Sequence, residues 1–213
     1  MAFPDLTDIR DRVRSLMNED SNSTFLPDAV LNRYINDGER DIAAKTGCLE
    51  NTDTAVTTAA SRLVAFSGHK VKYVECAGTT TVGIQRITPK HLGYPSYTGT
   101  APQYWFQWGG SVVVDPLPDT AYTLYLYVSD YPHTEMSDDT DEPSIPASFH
   151  EDIVQYAYCR ALMRDRKWPQ AAFVYNKYIE SIQAKKQMLV TQQPDSRAAI
   201  KIPDIVQKGG QQQ

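Results

Sequence analysis

The feature that most constrains this chain is a change of period along its length. Before about residue 50 and after about residue 148 the apolar positions recur at helical spacing. Between Thr54 and Val128 the chain is rich in threonine, valine, tyrosine and turn residues that punctuate short runs. Helical ends around a strand-like middle predict an α+β fold. The expected form is a four-helix bundle built from N- and C-terminal helix pairs, with an inserted antiparallel β-sheet or barrel-like domain and an extended C-terminal tail. The corresponding segments are 1–50 for the first two helices, 51–130 for the β insertion, 131–147 for a loop, 148–190 for the second helix pair and 191–213 for the tail.

The first helix is expected from Thr7 to about Asn18, with Thr7 as its cap and Asp8 at the positive end of its dipole. Leu6, Ile9, Val13, Leu16 and Met17 share one face. The second opens at Pro27, buries Val30, Leu31, Tyr34, Ile35, Gly38 and Ile42, and ends at Gly47 in the left-handed position. Asn32, Arg33, Asp37, Arg40 and Asp41 form its opposite, solvated or partner-facing side. Strand runs are 55–58, 62–66, 71–75 and 83–87. The clearest hairpin is Tyr104–Trp108, Gly109-Gly110, Ser111–Asp115, because two glycines supply the positive φ angles of a tight turn. Asp115-Pro-Leu-Pro-Asp119 leads to Tyr122–Val128, with Tyr125 and Tyr127 on one face and Leu124 and Leu126 on the other.

Ser129 to Ala147 reads as a polar, exposed crossing. Ser148 and Glu151 have capping-box spacing for a third helix whose apolar face is Ile153, Val154, Ala157, Ala161 and Leu162. Trp168-Pro169 interrupts. A fourth helix then shows Ala172, Phe173, Tyr175, Ile179, Ile182 and Met188. The tail from Thr191 is glutamine-rich and broken by Pro194 and Pro203, with isolated apolar points at Ile200, Ile202, Ile205 and Val206.

Residues able to carry chemistry occur singly rather than in constellations. His69, His91, His133 and His150 are scattered. Cys48, Cys76 and Cys159 are far apart and odd in number, so buried free thiols are expected rather than disulfides or zinc. No phosphate loop, dinucleotide fingerprint or hydrolase elbow is present. No catalytic, cofactor-binding or metal-ligating residue is assigned. Asp138, Asp139, Asp141 and Glu142 form an acidic run in a proline-bounded loop, read as a solvated stretch. In the run Tyr104, Trp105, Phe106, Trp108, alternation puts Trp105 opposite the other three, and one of the two faces is expected in the core. The net charge of −5 leaves no basic surplus to neutralise phosphates, so specific binding of nucleic acid is not expected. The start lacks an apolar leader and no apolar run could span a bilayer, so an intracellular, soluble chain with no membrane partner is expected.

The order of parts resembles the head-to-tail adaptors, or connectors, of podovirus-type bacteriophages. The resemblance rests on Phe25-Leu-Pro-Asp-x-x-Leu31-x-x-Tyr34-Ile-Asn-x-x-x-x-Asp41-Ile, on the hairpin followed by Asp115-Pro-Leu-Pro-Asp119 and Tyr131-Pro132, and on Ile145-Pro-x-x-Phe149-His-Glu-x-Ile153-x-x-Tyr156 with Tyr175 and Tyr178. It implies a structural virion protein of the neck, assembled in the host cytoplasm, that forms a ring of about twelve copies beneath the portal. Its partners would be the portal protein, a tail or nozzle protein and further copies of itself. DNA would pass through the ring without specific binding. It also implies that the tail grips the portal, with Ile200, Ile202, Ile205 and Val206 as anchors. A tail-completion or tube-end ring protein, and a carboxylate-based cell-wall hydrolase carried in the particle, are the alternative readings.

Overall fold

The computed structural model describes residues 4–20, 24–68, 70–77, 81–91, 101–132 and 134–192. Among these residues it is a mixed α+β structure with four α-helices and two four-stranded sheets.

Helix α1 spans Leu6–Met17. Its cap is Asp5, whose carboxylate accepts the Asp8 N–H at 2.8 Å. Thr7, expected in that role, lies inside the helix, and its hydroxyl donates to the Asp139 carbonyl at 3.1 Å. The helix starts early because a distant loop receives its first donors: Leu6 N–H goes to the Asp141 carbonyl at 2.9 Å and Thr7 N–H to that of Asp139 at 3.3 Å. Leu6, Ile9 and Val13 are buried, whereas Leu16 falls off the stripe and is exposed.

Helix α2 spans Asp28–Thr46, with Pro27 just before it and Gly47 closing it at φ 64°. Gly38 matters for packing. A Cβ there would meet the Tyr156 ring at 3.0 Å, so the missing side chain lets the next helix approach closely. That helix, α3, spans His150–Arg164 behind a 3₁₀ turn at Ala147–Phe149. Ser148 lies within the turn, and α3 starts without a side-chain cap, so the expected capping box is not formed. Glu151 pairs with Arg12 at 3.3 Å instead.

Helix α4 spans Trp168–Gln192. Its buried side is Ala171, Tyr178 and Ile182, with Ile179 half-buried. Ala172, Phe173, Tyr175 and Met188, expected inside, are exposed. Three polar contacts fix this rotation: the Tyr178 hydroxyl donates to Asp41, and Ser181 and Lys185 both donate to Asp152. The four helices share one apolar core, to which Leu6, Ile9, Val13, Leu31, Ile35, Ile42, Phe149, Ile153, Ala157, Tyr178 and Ile182 contribute.

The middle of the chain forms β1 (Glu50–Val56), β2 (Leu63–Ala65), β3 (Lys70–Ala77), β4 (Val82–Gly83), β5 (Gln85–Arg86), β6 (Tyr104–Trp108), β7 (Ser111–Asp115) and β8 (Thr123–Ser129). One sheet has the order β1-β8-β3-β4 and the other β2-β7-β6-β5, with only β5–β6 parallel. β1 begins earlier than expected because it pairs with the whole of β8, from Glu50↔Ser129 to Val56↔Thr123. The expected strand at 83–87 is divided. The chain leaves one sheet after Gly83 and joins the other at Gln85, pivoting on buried Ile84, whose N–H donates to the Val74 carbonyl at 3.0 Å. Val71, Val74, Leu124, Leu126 and Val128 from one sheet and Val64, Trp105, Val112 and Val114 from the other form a second core. Period-2 alternation explains these contributions, except that an irregularity between Val71 and Tyr73 puts Val71 and Val74, three apart, on one side. The β6–β7 hairpin turns at Gly109-Gly110 as expected, Gly109 having φ 58°.

Candidate docking surfaces

The segment after β8 was expected to be an exposed crossing; most of it is exposed, but it is tied down at several points. Met136 and Ile145 are buried in the helical core. Asn36 of α2 pairs with the segment as a strand would: its side-chain amide donates to the Met136 carbonyl at 3.0 Å, and its carbonyl accepts the Met136 N–H at 2.9 Å. Glu39, also buried, accepts the Ser144 N–H at 2.5 Å, and burial raises its pKa above the ordinary carboxylate value. Arg40 meets Glu135 at 2.6 Å, and Arg10 bonds Asp139. The segment is therefore a strap, latched to α1 and α2 by side chains and packed by its own apolar residues.

This arrangement disperses the acidic run. Asp139 serves Arg10. Asp141 accepts the N–H groups of Ser137 and Asp138, which holds its carboxyl below the usual range. Arg10 and Arg14, nearly buried on α1, converge on Asp28, and the hydrogen bond from Arg14 leads in lowering the Asp28 pKa. Burial pushes the Tyr178 hydroxyl upward, and its bond to the Asp41 carboxylate adds to the effect. Asp152, fully buried, takes Ser181 at 2.7 Å and Lys185 at 2.6 Å. These polar groups are spent on internal latches. Asn36 lies in the Phe25–Ile42 motif without a role given to it, and Glu39 and Asp152 were not singled out from the sequence. The available signal was a hydrogen-bonding residue set beside the apolar stripe, next to Ile35 or Ile153.

The other candidates resolve similarly. The imidazole Nε2 of buried His150 lies 2.9 Å from the Ile145 carbonyl. His69 and His133, and the side chain of His91, lie outside the described residues. The three cysteines are free, and burial raises all three thiol pKa values. Among the described residues no group of histidine, cysteine or acidic side chains could hold a metal ion, and no helix is long and apolar enough to cross a membrane. Trp105 is core, donating its indole N–H to the Ile84 carbonyl at 3.1 Å, with Arg86 over its ring. Phe106 is buried on the opposite side of the strand, and Trp108 stands exposed at the hairpin end. Ile200, Ile202, Ile205 and Val206 lie outside the described residues.

Among the described residues, exposed aromatic side chains are also found on one sheet and on α4. On the outer face of the β1-β8-β3 sheet, Tyr127 lies between Thr52 and Tyr73 in register, with Tyr125 two residues away. The Tyr73 and Tyr127 rings are 5.7 Å apart, and the Tyr127 hydroxyl donates to Glu75 at 3.1 Å. On α4, Trp168, Phe173 and Met188 are 60%, 60% and 64% exposed. Tyrosine, tryptophan, phenylalanine and methionine are the side chains enriched where proteins meet. Polar groups committed internally and exposed aromatic side chains on two separate elements suit a protein that docks onto others. The sequence profile of the SU10 adaptor protein family matches residues 4–201, and the chain belongs to that family. Membership implies a structural, non-enzymatic part of a phage virion associated with portal and tail. No curated protein matches the chain.

Proposed function

We propose that this chain is a head-to-tail adaptor that forms a ring beneath the portal, joins capsid to tail and continues the DNA channel. The observation that carries the reading is the pair of exposed aromatic surfaces on different elements, the tyrosines of the β1-β8-β3 sheet and the outer side of α4. A closed ring of identical copies requires two unlike patches on every copy, since each touches its neighbours heterologously. The helices, read as a four-helix bundle, form the ring body, and the sheets face outward or toward the tail. The negative charge suits passage of DNA without adhesion. The C-terminal segment grips the portal through Ile200, Ile202, Ile205 and Val206, and its many copies on one ring multiply a weak contact.

Mixing the full chain with isolated portal rings and imaging the product by electron microscopy tests this reading. A second ring stacked coaxially on the portal is the expected result, and unchanged portal rings at saturating chain would refute it. Deletion of 191–213 is expected to leave a folded monomer that no longer attaches. Normal attachment by the truncated chain would remove the tail from the account.

A further inference from the structure

The outer side of α4 has a counterpart elsewhere on the same chain. Asp37, Arg40, Asp41 and Ala44 of α2, Tyr156 of α3 and Tyr131 of the strap line an open recess of about 480 Å³. Its charges do not balance locally. Arg40 is neutralised by Glu135 at 2.6 Å. Asp41 is occupied by Lys45 and by the Tyr178 hydroxyl. Asp37 has no ion-pair or hydrogen-bond partner among the described residues. The recess therefore presents one uncompensated carboxylate between two tyrosine rings.

The outer side of α4 presents the complement. Phe173 is exposed, and the Lys177 ammonium rides 4.6 Å from its ring centroid. No carboxylate among the described residues pairs with Lys177. At 3.6 residues per turn, Phe173 and Lys177 lie on the side of α4 away from Ala171, Tyr178 and Ile182, which pack inward. Knob and recess thus sit on different helices of one chain, apolar against aromatic and cation against carboxylate.

We propose that Phe173 and Lys177 of one copy dock into the Asp37, Tyr131 and Tyr156 recess of the next, forming the lateral contact of the ring. This deepens the ring reading and rests on it. Asp37 takes the incoming ammonium, the tyrosine rings receive the phenyl group, and the contact is heterologous because the two surfaces differ. A cationic side chain over an aromatic ring is also favourable at the edge of such a recess.

Assembly of the double variant Ala44→Cys, Asn176→Cys, which keeps Phe173 and Lys177 in place, on portal rings, followed by a short bismaleimide, tests it. Both positions are exposed, Cys76 and Cys159 are buried, and the half-buried Cys48 is replaced by serine throughout. The expected product is a ladder of covalent oligomers ending at the closed ring. Either cysteine variant alone, like the parent chain, should give no ladder. A ring seen by microscopy with no ladder overturns the surface and leaves the ring standing. Dimers from Ala44→Cys or Asn176→Cys alone, or links from Asn176→Cys to portal protein, also overturn it. Absence of any ring removes the ring reading and this surface together. In the second measurement, Asp37→Lys or Lys177→Asp alone should lower ring yield by about tenfold. Combining them should restore it, whereas no recovery in a folded double variant refutes the pairing.

Discussion

Replacing Asn36 by alanine should release the strap that joins the sheets to the second helix pair. Asn36 is buried, and its two bonds to Met136, at 2.9 and 3.0 Å, satisfy both backbone groups of that residue at once. Each bond contributes about 1 kcal/mol net, and stranding a buried backbone donor or acceptor costs about 1–3 kcal/mol. Partial rehydration of the loosened strap returns some of that, so the expected loss is about 2–4 kcal/mol. For a chain of this size the midpoint should fall by about 5–12 °C. Urea denaturation followed by circular dichroism would give the free energy, with an unchanged slope if only stability has altered. Hydrogen exchange at the Met136 amide should accelerate before the global transition. A loss below about 0.5 kcal/mol with Met136 still protected would mean that Met136 and Ile145 hold the strap by packing alone, and the latch argument would fail.

Other perturbations follow from the same contacts. Gly38→Ala puts a methyl group 3.0 Å from the Tyr156 ring and should cost about 1–3 kcal/mol by pushing α2 from α3, read as a lowered melting temperature. Asp28→Asn removes the carboxylate shared by Arg10 and Arg14; since Asp28 is partly exposed, about 1–2 kcal/mol is expected at neutral pH. The folded-state pKa of Asp28 is depressed, so its stabilisation is present above the ordinary value of 3.8 and is lost as pH falls through the lower folded value. Parent and variant melting curves should thus differ from pH 5 to 8 and converge only in strong acid. Asp152→Ala should cost about 3 kcal/mol and speed exchange in α4 beyond Ser181, since Ser181 and Lys185 both lose their partner. Native Cys48, Cys76 and Cys159 should label with a maleimide much more slowly than in urea, because burial disfavours each thiolate.

What was legible in the sequence was whatever period alone decides. Leu124, Leu126 and Val128 alternate with Tyr125 and Tyr127 across β8, and the burial follows that alternation. Gly109-Gly110 could serve only as a turn between two five-residue strands, and it does. The misread elements were those in which a partner distant in sequence chooses between near-equal local options. Thr7 and Asp5 are both good caps, and the loop at 139–141 selects Asp5 by accepting the next two N–H groups. On α4, Phe173 and Tyr178 are both aromatic at plausible spacing. Asp41 on another helix draws Tyr178 inward and turns Phe173 out.

That rotation is where fold and proposed function meet. An isolated amphipathic helix would bury its largest apolar side chains, and α4 does not. It buries Ala171, Tyr178 and Ile182 and leaves Trp168, Phe173 and Met188 in water. Exposing those side chains forgoes about 1.5–3 kcal/mol apiece of burial that a monomer could otherwise gain. The contacts that enforce the orientation, Tyr178 to Asp41 and Lys185 to Asp152, are polar and directional, so they fix the angle at which the apolar surface is presented. A ring transmits that angle from copy to copy, and an error in it would open the ring into a helix. In the proposed ring, buried polar latches that set this helix rotation would present the exposed side of α4 to the neighbouring copy at a fixed angle.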